Sequence, residues 1–336
     1  MSCDEEHLVK AIRYDRYGPP SVLRLDETGV PEIGGEDVLV RVRAASVNPY
    51  DTHFMRGTPY LLRCAAGVLR PRHHGLGADL AGRVEEVGES VTRFAPGDEV
   101  FGVMSPLGTL GALAEYVSLH QDSVLAAKPT GLTFEQAAAV PLAAFTALQA
   151  VRDKGCARPG QRVLVNGAAG GVGTFAVQIA KALGAEVTGV CSTGKTELVG
   201  SIGADHVVDY TKQDFTSAGQ RYDVLVDTVG NRTLRDCRRV LAPQGVLVGI
   251  GGPDKGRWLQ PLIRPATMMV LTPVVSQTMT FFVARPNRDD LAFLRDLLET
   301  EKVTPVIDRT YKLSEVPQAI GYLEAGHATG KIIISM

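Results

Sequence analysis

The sequence predicts an α/β protein of two domains, one rich in strands and one built on a parallel sheet. Three observations carry the prediction. The chain has 336 residues, more than one ordinary domain holds. Roughly the first 125 residues alternate apolar and polar side chains at the period of half-buried strands. From Arg162 onward, short apolar strands alternate with helical stretches, the spacing of βαβ units.

In the first part, "SVLRLDETGVPEI", "EDVLVRVRAASVNP" and "LAGRVEEVGESVTRFAPGDEVFGVM" read as strands, "PGDEV" reads as a turn, and no helix of ordinary length is expected. The character changes at "PTGLTFEQAAAVPLAAFTALQAVRDKG". Thr133 is placed to cap a helix through Gln136; a second helix covers Phe145 to Asp153, and Gly155 ends it. The parallel strands are "RVLVN", "EVTGVC", "HVVDY", "YDVLVDTVG" and "GVLVGIGG". "TMTFFVARPN" is a strand and a turn. "NRDDLAFLRDLLETEKV" is a helix capped by Asn287, with Leu291, Leu294, Leu297 and Leu298 on one face. "SEVPQAIGYLEAG" is a helix capped by Ser314 and stopped by Gly326, and "GKIIISM" is the last strand.

Composition narrows the function. The chain is 45% hydrophobic and 21% charged, ordinary for a globular protein with a sizeable core. The formal net charge is -2 with no basic block, which argues against nucleic acid as the main partner. No apolar run is long enough for a membrane span, and "MSCDEEHLVK" lacks the apolar stretch of a signal peptide. Five scattered cysteines (Cys3, Cys64, Cys156, Cys191, Cys237) fit free thiols in a reducing compartment, and a cytoplasmic location is expected.

The most informative stretch is "VLVNGAAGGVGTFAVQIAKALGAEVTGVCSTGK". A strand ends in a glycine break, Gly167 to Gly173, and a helix with Val172, Phe175, Ala176, Ile179, Ala180 and Leu183 on one face follows. Glycines let the backbone approach a ligand, and the free N–H groups and dipole of a helix start favour a phosphate. Ala169, Gly170, Gly171, Val172 and Gly173 are therefore expected to hold a dinucleotide pyrophosphate, although Ala168 stands where the usual first glycine would be. An NAD site ends the second strand on an acid that binds the ribose 2′-hydroxyl. Here that strand ends at Cys191, followed by Ser192, Thr193, Gly194 and Lys195: hydroxyls and an ammonium suited to a 2′-phosphate. NADP(H) is the expected cofactor, with Tyr210 beside the adenine ribose.

The chain resembles the zinc-independent quinone oxidoreductases of the medium-chain dehydrogenase/reductase superfamily. The resemblance is carried by "AASVNPYDTHFMRG", "GADLAGRVEEVG", "PGDEVFGV", "GALAEYV", "AAAVPLAAFTALQA", the glycine stretch, "GADHVVDY", "VLVDTVG" and "GKIII", in the family's order along nearly the whole chain. It implies a GroES-like catalytic domain, a Rossmann domain inserted into it, a cleft between them, and commonly a homodimer through Rossmann edge strands, here "TMTFFVAR". The expected division is 1–125 for the first part of the catalytic domain, 126–270 for the Rossmann domain, and 271–336 for the edge strand and the return. Zinc-bearing members are similar but carry a Cys in the segment matching "SVNPYD", a His-Glu pair in that matching "GADLAG", and a further Cys or Asp. Here Asn48, then Ala78 and Asp79, then Leu142 or Pro141 stand there. These cannot supply the ligands catalytic zinc needs, and no metal is expected.

That absence points to the substrate. Without a Lewis acid, hydride delivery to a simple ketone leaves a localised oxyanion with little support. A quinone or an α,β-unsaturated carbonyl spreads the charge and needs only placement and one or two hydrogen-bond donors. The expected activity is NADPH-dependent reduction of a quinone or other conjugated carbonyl. The alternatives are an enoyl-thioester or alkenal reductase, and, in another class, an NADPH-binding structural or regulatory protein with little turnover. Asn48 and Tyr50 are the candidate polar groups for catalysis, Asn48 also for the nicotinamide ribose. Val229, Ile250 and Phe282 lie at strand ends on the nicotinamide side, and Lys331 enters the last strand near the cofactor or caps the preceding helical region. The loops "TPYLLRCAAGVLRP" and "GGPDKGRWLQPLIRPATMM" set the shape of the cleft.

Overall fold

A computed structural model describes residues 8–104, 111–217, 219–251 and 260–336. Cys3 and most of "GGPDKGRW" lie outside them. In chain order the elements begin with β1 (Leu8–Arg13), β2 (Arg24–Gly29), β3 (Asp37–Val47), α1 (Pro49–Arg56), α2 (Leu62–Ala66), β4 (Asp79–Val87), β5 (Glu99–Val103), β6 (Tyr116–His120), β7 (Val124–Ala127) and α3 (Phe134–Ala138). They continue with α4 (Pro141–Leu148), β8 (Arg162–Asn166), α5 (Gly171–Ala182), β9 (Glu186–Cys191), α6 (Thr196–Ser201), β10 (His206–Asp209), β11 (Tyr222–Asp227), α7 (Leu234–Arg239) and β12 (Leu241–Gly249). The last are α8 (Gln260–Leu271), β13 (Thr278–Phe281), α9 (Arg288–Glu299), β14 (Ile307–Lys312), α10 (Val316–Glu324) and β15 (Lys331–Ser335).

The chain forms two compact units. The first holds residues 1–142, 286–295 and 307–336, and the second holds 143–285 and 296–306. The first boundary falls after Leu142 rather than after 125 because α3 packs on β3, β4, β5 and β15. Past residue 270 the edge strand β13 completes the sheet of the second unit, whose main segment runs to Arg285.

In the first unit a sheet runs β14-β15-β3-β4-β5-β7, with β6 also on β3, and β1 and β2 form a separate hairpin. One edge of the eleven-residue β3 pairs with β4; the other is shared, Asp37–Arg41 pairing with β6 and Ala44–Val47 with β15. The core is apolar, with Met55, Leu76, Leu80, Leu113 and Ile332 almost fully buried. In the second unit six strands run in parallel in the order β10-β9-β8-β11-β12-β13. Chain order reverses between β8 and β11, which makes their carboxyl ends the topological switch point where such sheets bind ligands.

Three local expectations change. Where no helix was expected, "NPYD" opens α1: Pro49 takes the first helical position and the Asp51 carboxylate accepts the Asn48 N–H. The helix after Thr133 is capped as expected, with Thr133 and Gln136 each accepting the other's backbone N–H. The next one, however, begins at Pro141 and passes into a wider turn over Gln149–Lys154 before Gly155. Ser314 sits in a tight turn, Leu313–Glu315, and α10 starts only at Val316, with Pro317 in its first turn. In addition, the stretch after Gln260, taken with the loops, is largely α8.

Candidate active site

Two constellations carry chemistry, one in each unit. In the second unit β8 delivers the chain into the glycine turn at the switch point. Gly167 has φ +87, a conformation L side chains rarely adopt. A Cβ on Gly173 would lie 2.0 Å from the Gly167 carbonyl oxygen, so only glycine lets α5 start this close to the strand. Gly170 precedes α5 in extended conformation and no side chain caps that helix. The N–H groups of its first turn have no acceptor within the helix, and Gly170, Gly171 and Val172 are half-buried rather than closed off. Ala169 is buried beneath them. The geometry fits a pyrophosphate.

Beyond β9, Ser192 and Lys195 are half-buried and Thr193 is exposed. The sequence reading missed Asp209, at the end of the neighbouring β10. Its carboxylate accepts the hydroxyls of Thr193 at 2.6 Å and Thr211 at 2.7 Å, and the Lys212 ammonium lies 3.5 Å away. The Thr193 bond first, then those of Thr211, hold its acidity at about 2. Thr193 has thus spent its only hydroxyl proton inside the protein. The final Asp of "HVVDY", one strand over from the usual acid position, was the available signal. The Tyr210 side chain is 50% exposed, and its N–H donates to the Cys191 carbonyl. At the other strand ends Val229 is 39% exposed, the Ile250 N–H donates to the Asp227 carbonyl, and Phe282 packs 6.0 Å from the Lys154 ammonium.

In the first unit the structure joins Asn48 and Lys331, and it adds Asp79. All three are almost fully buried. Asp79 Oδ2 accepts the Ser46 hydroxyl at 2.7 Å and Asn48 Nδ2 at 2.9 Å, with Lys331 Nζ at 3.3 Å; Oδ1 accepts the Leu142 N–H at 2.8 Å. Lys331 Nζ also donates to Asn48 Oδ1. Its ammonium is therefore the counter-ion of a buried carboxylate. Beneath this cluster Asp51 accepts the N–H groups of Asn48 at 2.7 Å and Gly77 at 3.1 Å. Burial pushes the Asp51 carboxyl up to about 7. Burial, and then the charge of Asp51, raise the Tyr50 phenol well above its ordinary value, so it is a protonated donor at neutral pH. Its ring lies 4.5 Å from that of Phe54. His53 Nδ1 lies 3.0 Å from the Thr58 carbonyl, and the Arg63 guanidinium covers the Tyr60 ring at 4.6 Å.

The positions matched to zinc ligands do come together: Asn48, Asp79 and the Leu142 backbone share one hydrogen-bonded cluster. The groups around Asp79 are an amide, a hydroxyl, an ammonium and a backbone N–H. All donate, which suits a carboxylate and opposes a cation. Among the described residues no three His, Cys, Asp or Glu side chains converge.

Comparisons with known proteins agree with both halves. Residues 34–129 match the alcohol dehydrogenase GroES-like domain, and residues 202–334 match a family model described as zinc-binding dehydrogenase. The chain is 35% identical to the mitochondrial NAD(P)H oxidoreductase RTN4IP1 of Mus musculus, over 96% of this chain and 88% of that protein. It is 34% identical to the chloroplastic NADPH-dependent alkenal/one oxidoreductase of Arabidopsis thaliana, over 97% and 79%. Its structure is similar to that of the quinone oxidoreductase from Coxiella burnetii, with TM-score 0.86 and 31% identity over 98% and 99% of the two chains.

Proposed function

Because the chain belongs to the zinc-independent quinone oxidoreductases of the medium-chain dehydrogenase/reductase superfamily, we propose that it is an NADPH-dependent reductase of quinones or other conjugated carbonyls. The observation that carries the reading is the buried Asp79–Lys331–Asn48 cluster, where an internal ammonium neutralises the carboxylate at a metal-ligand position. These residues offer no Lewis acid, so the acceptor must delocalise its own charge.

NADPH, when bound, supplies the hydride; the substrate takes one proton as well, giving a hydroquinone or a saturated carbonyl. The N–H groups of Gly171, Val172 and Gly173 bind the pyrophosphate, while Gly170, whose N–H donates to the Gly167 carbonyl, shapes the turn with buried Ala169. Ser192 and Lys195 bind the 2′-phosphate, with Thr193 bracing the turn through Asp209 and Tyr210 flanking the adenine ribose. Backbone groups at Val229, Ile250 and Phe282 serve the nicotinamide side. Asn48 spends one amide proton on Asp79 and keeps a second, and Tyr50 is a protonated phenol; these two are the polar groups for the ribose or the substrate oxygen. Lys331 acts by holding Asn48 in place.

The assembly is read as a homodimer through the β13 edge, supported by Val283, 76% exposed just past that strand, and by Met269 and Val270, 79% and 70% exposed on α8. A cytoplasmic location is part of the same reading. It is supported by Cys64, Cys156, Cys191 and Cys237, which are all free thiols. No helix among the described residues is long and apolar enough to cross a membrane.

The test is cofactor oxidation with NADPH and NADH against quinones, enones and enoyl thioesters, with and without chelator. Quinones or enones should oxidise NADPH, and chelator should change nothing. Enoyl thioesters as the best acceptors would shift the substrate to that class. Tight NADPH binding with no turnover would leave a binding protein. Lys195→Ala should weaken NADPH binding by about 1.5–3 kcal/mol and leave NADH unchanged. Equal losses for both cofactors would remove Lys195 from the 2′-phosphate site.

A further inference from the structure

Asp227 is a carboxylate with no exposure at the carboxyl end of β11, the strand across the switch point from the glycine turn. Four groups converge on it. Oδ1 accepts Asn166 Nδ2 at 2.8 Å and the backbone N–H groups of Gly230 at 2.9 Å and Val229 at 3.3 Å. Oδ2 accepts Nη2 of Arg264, which reaches in from α8. The same guanidinium donates through Nη1 to the carbonyls of Gly230 and Arg232, each at 2.8 Å. The exit loop of β11 is therefore gripped by its N–H groups on one side and by its carbonyls on the other.

The grip has a direction. It turns the Gly230 and Arg232 carbonyls toward Arg264 and leaves Val229 and Asn231 as the exposed residues of the loop. The loop in turn lies against the glycine break. The Thr228 hydroxyl donates to the Asn166 carbonyl at 2.8 Å. A Cβ on Gly167 would meet Thr228 Oγ1 at 2.3 Å and Val229 Cγ2 at 2.6 Å. Mobility in this loop would thus be felt where the pyrophosphate ends and the nicotinamide begins, because an open parallel sheet lays the two halves of a dinucleotide on opposite sides of the switch point. Asp227 alone would suffice to end the strand; the second set of bonds, to the carbonyls, is what fixes the loop's rotation.

We propose that Asp227 and Arg264 are positioning residues for the nicotinamide half of the cofactor, acting through the Thr228–Arg232 loop without touching the cofactor themselves. The inference rests on the NADPH reading above. A buried charged hydrogen bond is among the stronger ones, and a planar guanidinium can hold a carboxylate and two carbonyls at once where an ammonium cannot do so with the same geometry.

The experiment compares two ligands on the full chain by titration calorimetry: NADPH, and adenosine 2′,5′-bisphosphate, which carries only the adenosine half. Arg264→Gln should weaken NADPH about tenfold or more and leave the bisphosphate within about twofold of wild type. Arg264→Lys should fall between, since it keeps the charge facing Asp227 but not both carbonyl bonds. Hydrogen exchange without cofactor should show the Val229 and Gly230 amides less protected in Arg264→Gln while β8 and α5 stay protected. Parallel loss of both ligands would make Arg264 a general stabiliser and overturn the inference, as would unchanged NADPH affinity in either variant. If Arg264→Gln does not fold, Arg264→Lys decides by the same two ligands. Wild-type protein that binds neither ligand overturns the cofactor reading itself.

Discussion

The glycine turn of the second unit and the polar cluster of the first are built in opposite ways. Strand, turn, helix and second strand all come from one stretch, Val163 to Lys195, and function there is mostly backbone: positive φ at Gly167, close approach at Gly173, free N–H groups at the start of α5. The cluster gathers Ser46, Asn48, Asp51, Asp79, Leu142 and Lys331, and its longest bond joins residues 283 apart in sequence. Function there is side-chain charge held away from water. The first kind of site is sensitive to a single added carbon. The second is sensitive to a single lost charge.

The largest effect expected from this contrast is at Asp79. Asp79→Ala would leave the Lys331 ammonium buried without its counter-ion and several donors unmet, which costs about 3–5 kcal/mol. Denaturant unfolding should show that loss. The double variant Asp79→Leu, Lys331→Met should recover the part due to the uncompensated ammonium, while the Ser46, Asn48 and Leu142 donors stay unmet. A double variant no more stable than the single one would mean the cluster is held by something other than charge.

Next in size is Gly173→Ala. The new methyl would press on the Gly167 carbonyl, and overpacking of this kind costs about 1–3 kcal/mol. NADPH binding should weaken with it, while the buried cluster of the first unit, followed by the exchange protection of the Asn48 and Leu142 amides, stays as in wild type. Loss of protection in both places would erase the distinction drawn here.

The last expected effect is a difference in sign. Burial raises the Asp51 carboxyl to about 7, against about 3.9 in an unfolded chain, so the native state holds the extra proton. Its stability contribution is complete below about pH 4 and is lost as pH rises toward 7, by at most about 1.4 kcal/mol per pH unit. Asp209, held at about 2, behaves oppositely: its contribution is present above about pH 4 and lost as pH falls toward 2. Unfolding across pH should flatten on the upper limb in Asp51→Asn and on the lower limb in Asp209→Asn. A single variant flattening both limbs would show that the two groups do not report separate sites.

Much of this was legible beforehand, for local reasons. The strands of the parallel sheet and the α9 face of Leu291, Leu294, Leu297 and Leu298 follow from period and punctuation, and all four leucines are buried. The Thr133–Gln136 cap needs only residues three apart. Helix α1 was missed because eight residues carry little periodic signal, although Asn48, Pro49 and Asp51 spell a helix start. Asp209 was missed because the dinucleotide pattern places its acid at the end of the second strand, β9, whereas β10 lies beside it only in the folded sheet.

By itself the sequence determined what depends on neighbours along the chain: two kinds of domain, the dinucleotide turn with its cationic strand end, and side chains at the metal-ligand positions that a cation would not choose. Hydrophobic period, capping and glycine's freedom act over a few residues, so one string of letters holds them. Only the tertiary structure decided that Asn48, Asp79 and Lys331 neutralise one another, that Asp209 claims the Thr193 hydroxyl, and that Arg264 grips the exit of β11. Each of these is a bond between strands or helices distant in the chain. Its existence depends on sheet order and burial, because a charge or a donor takes a particular partner only where water has been excluded.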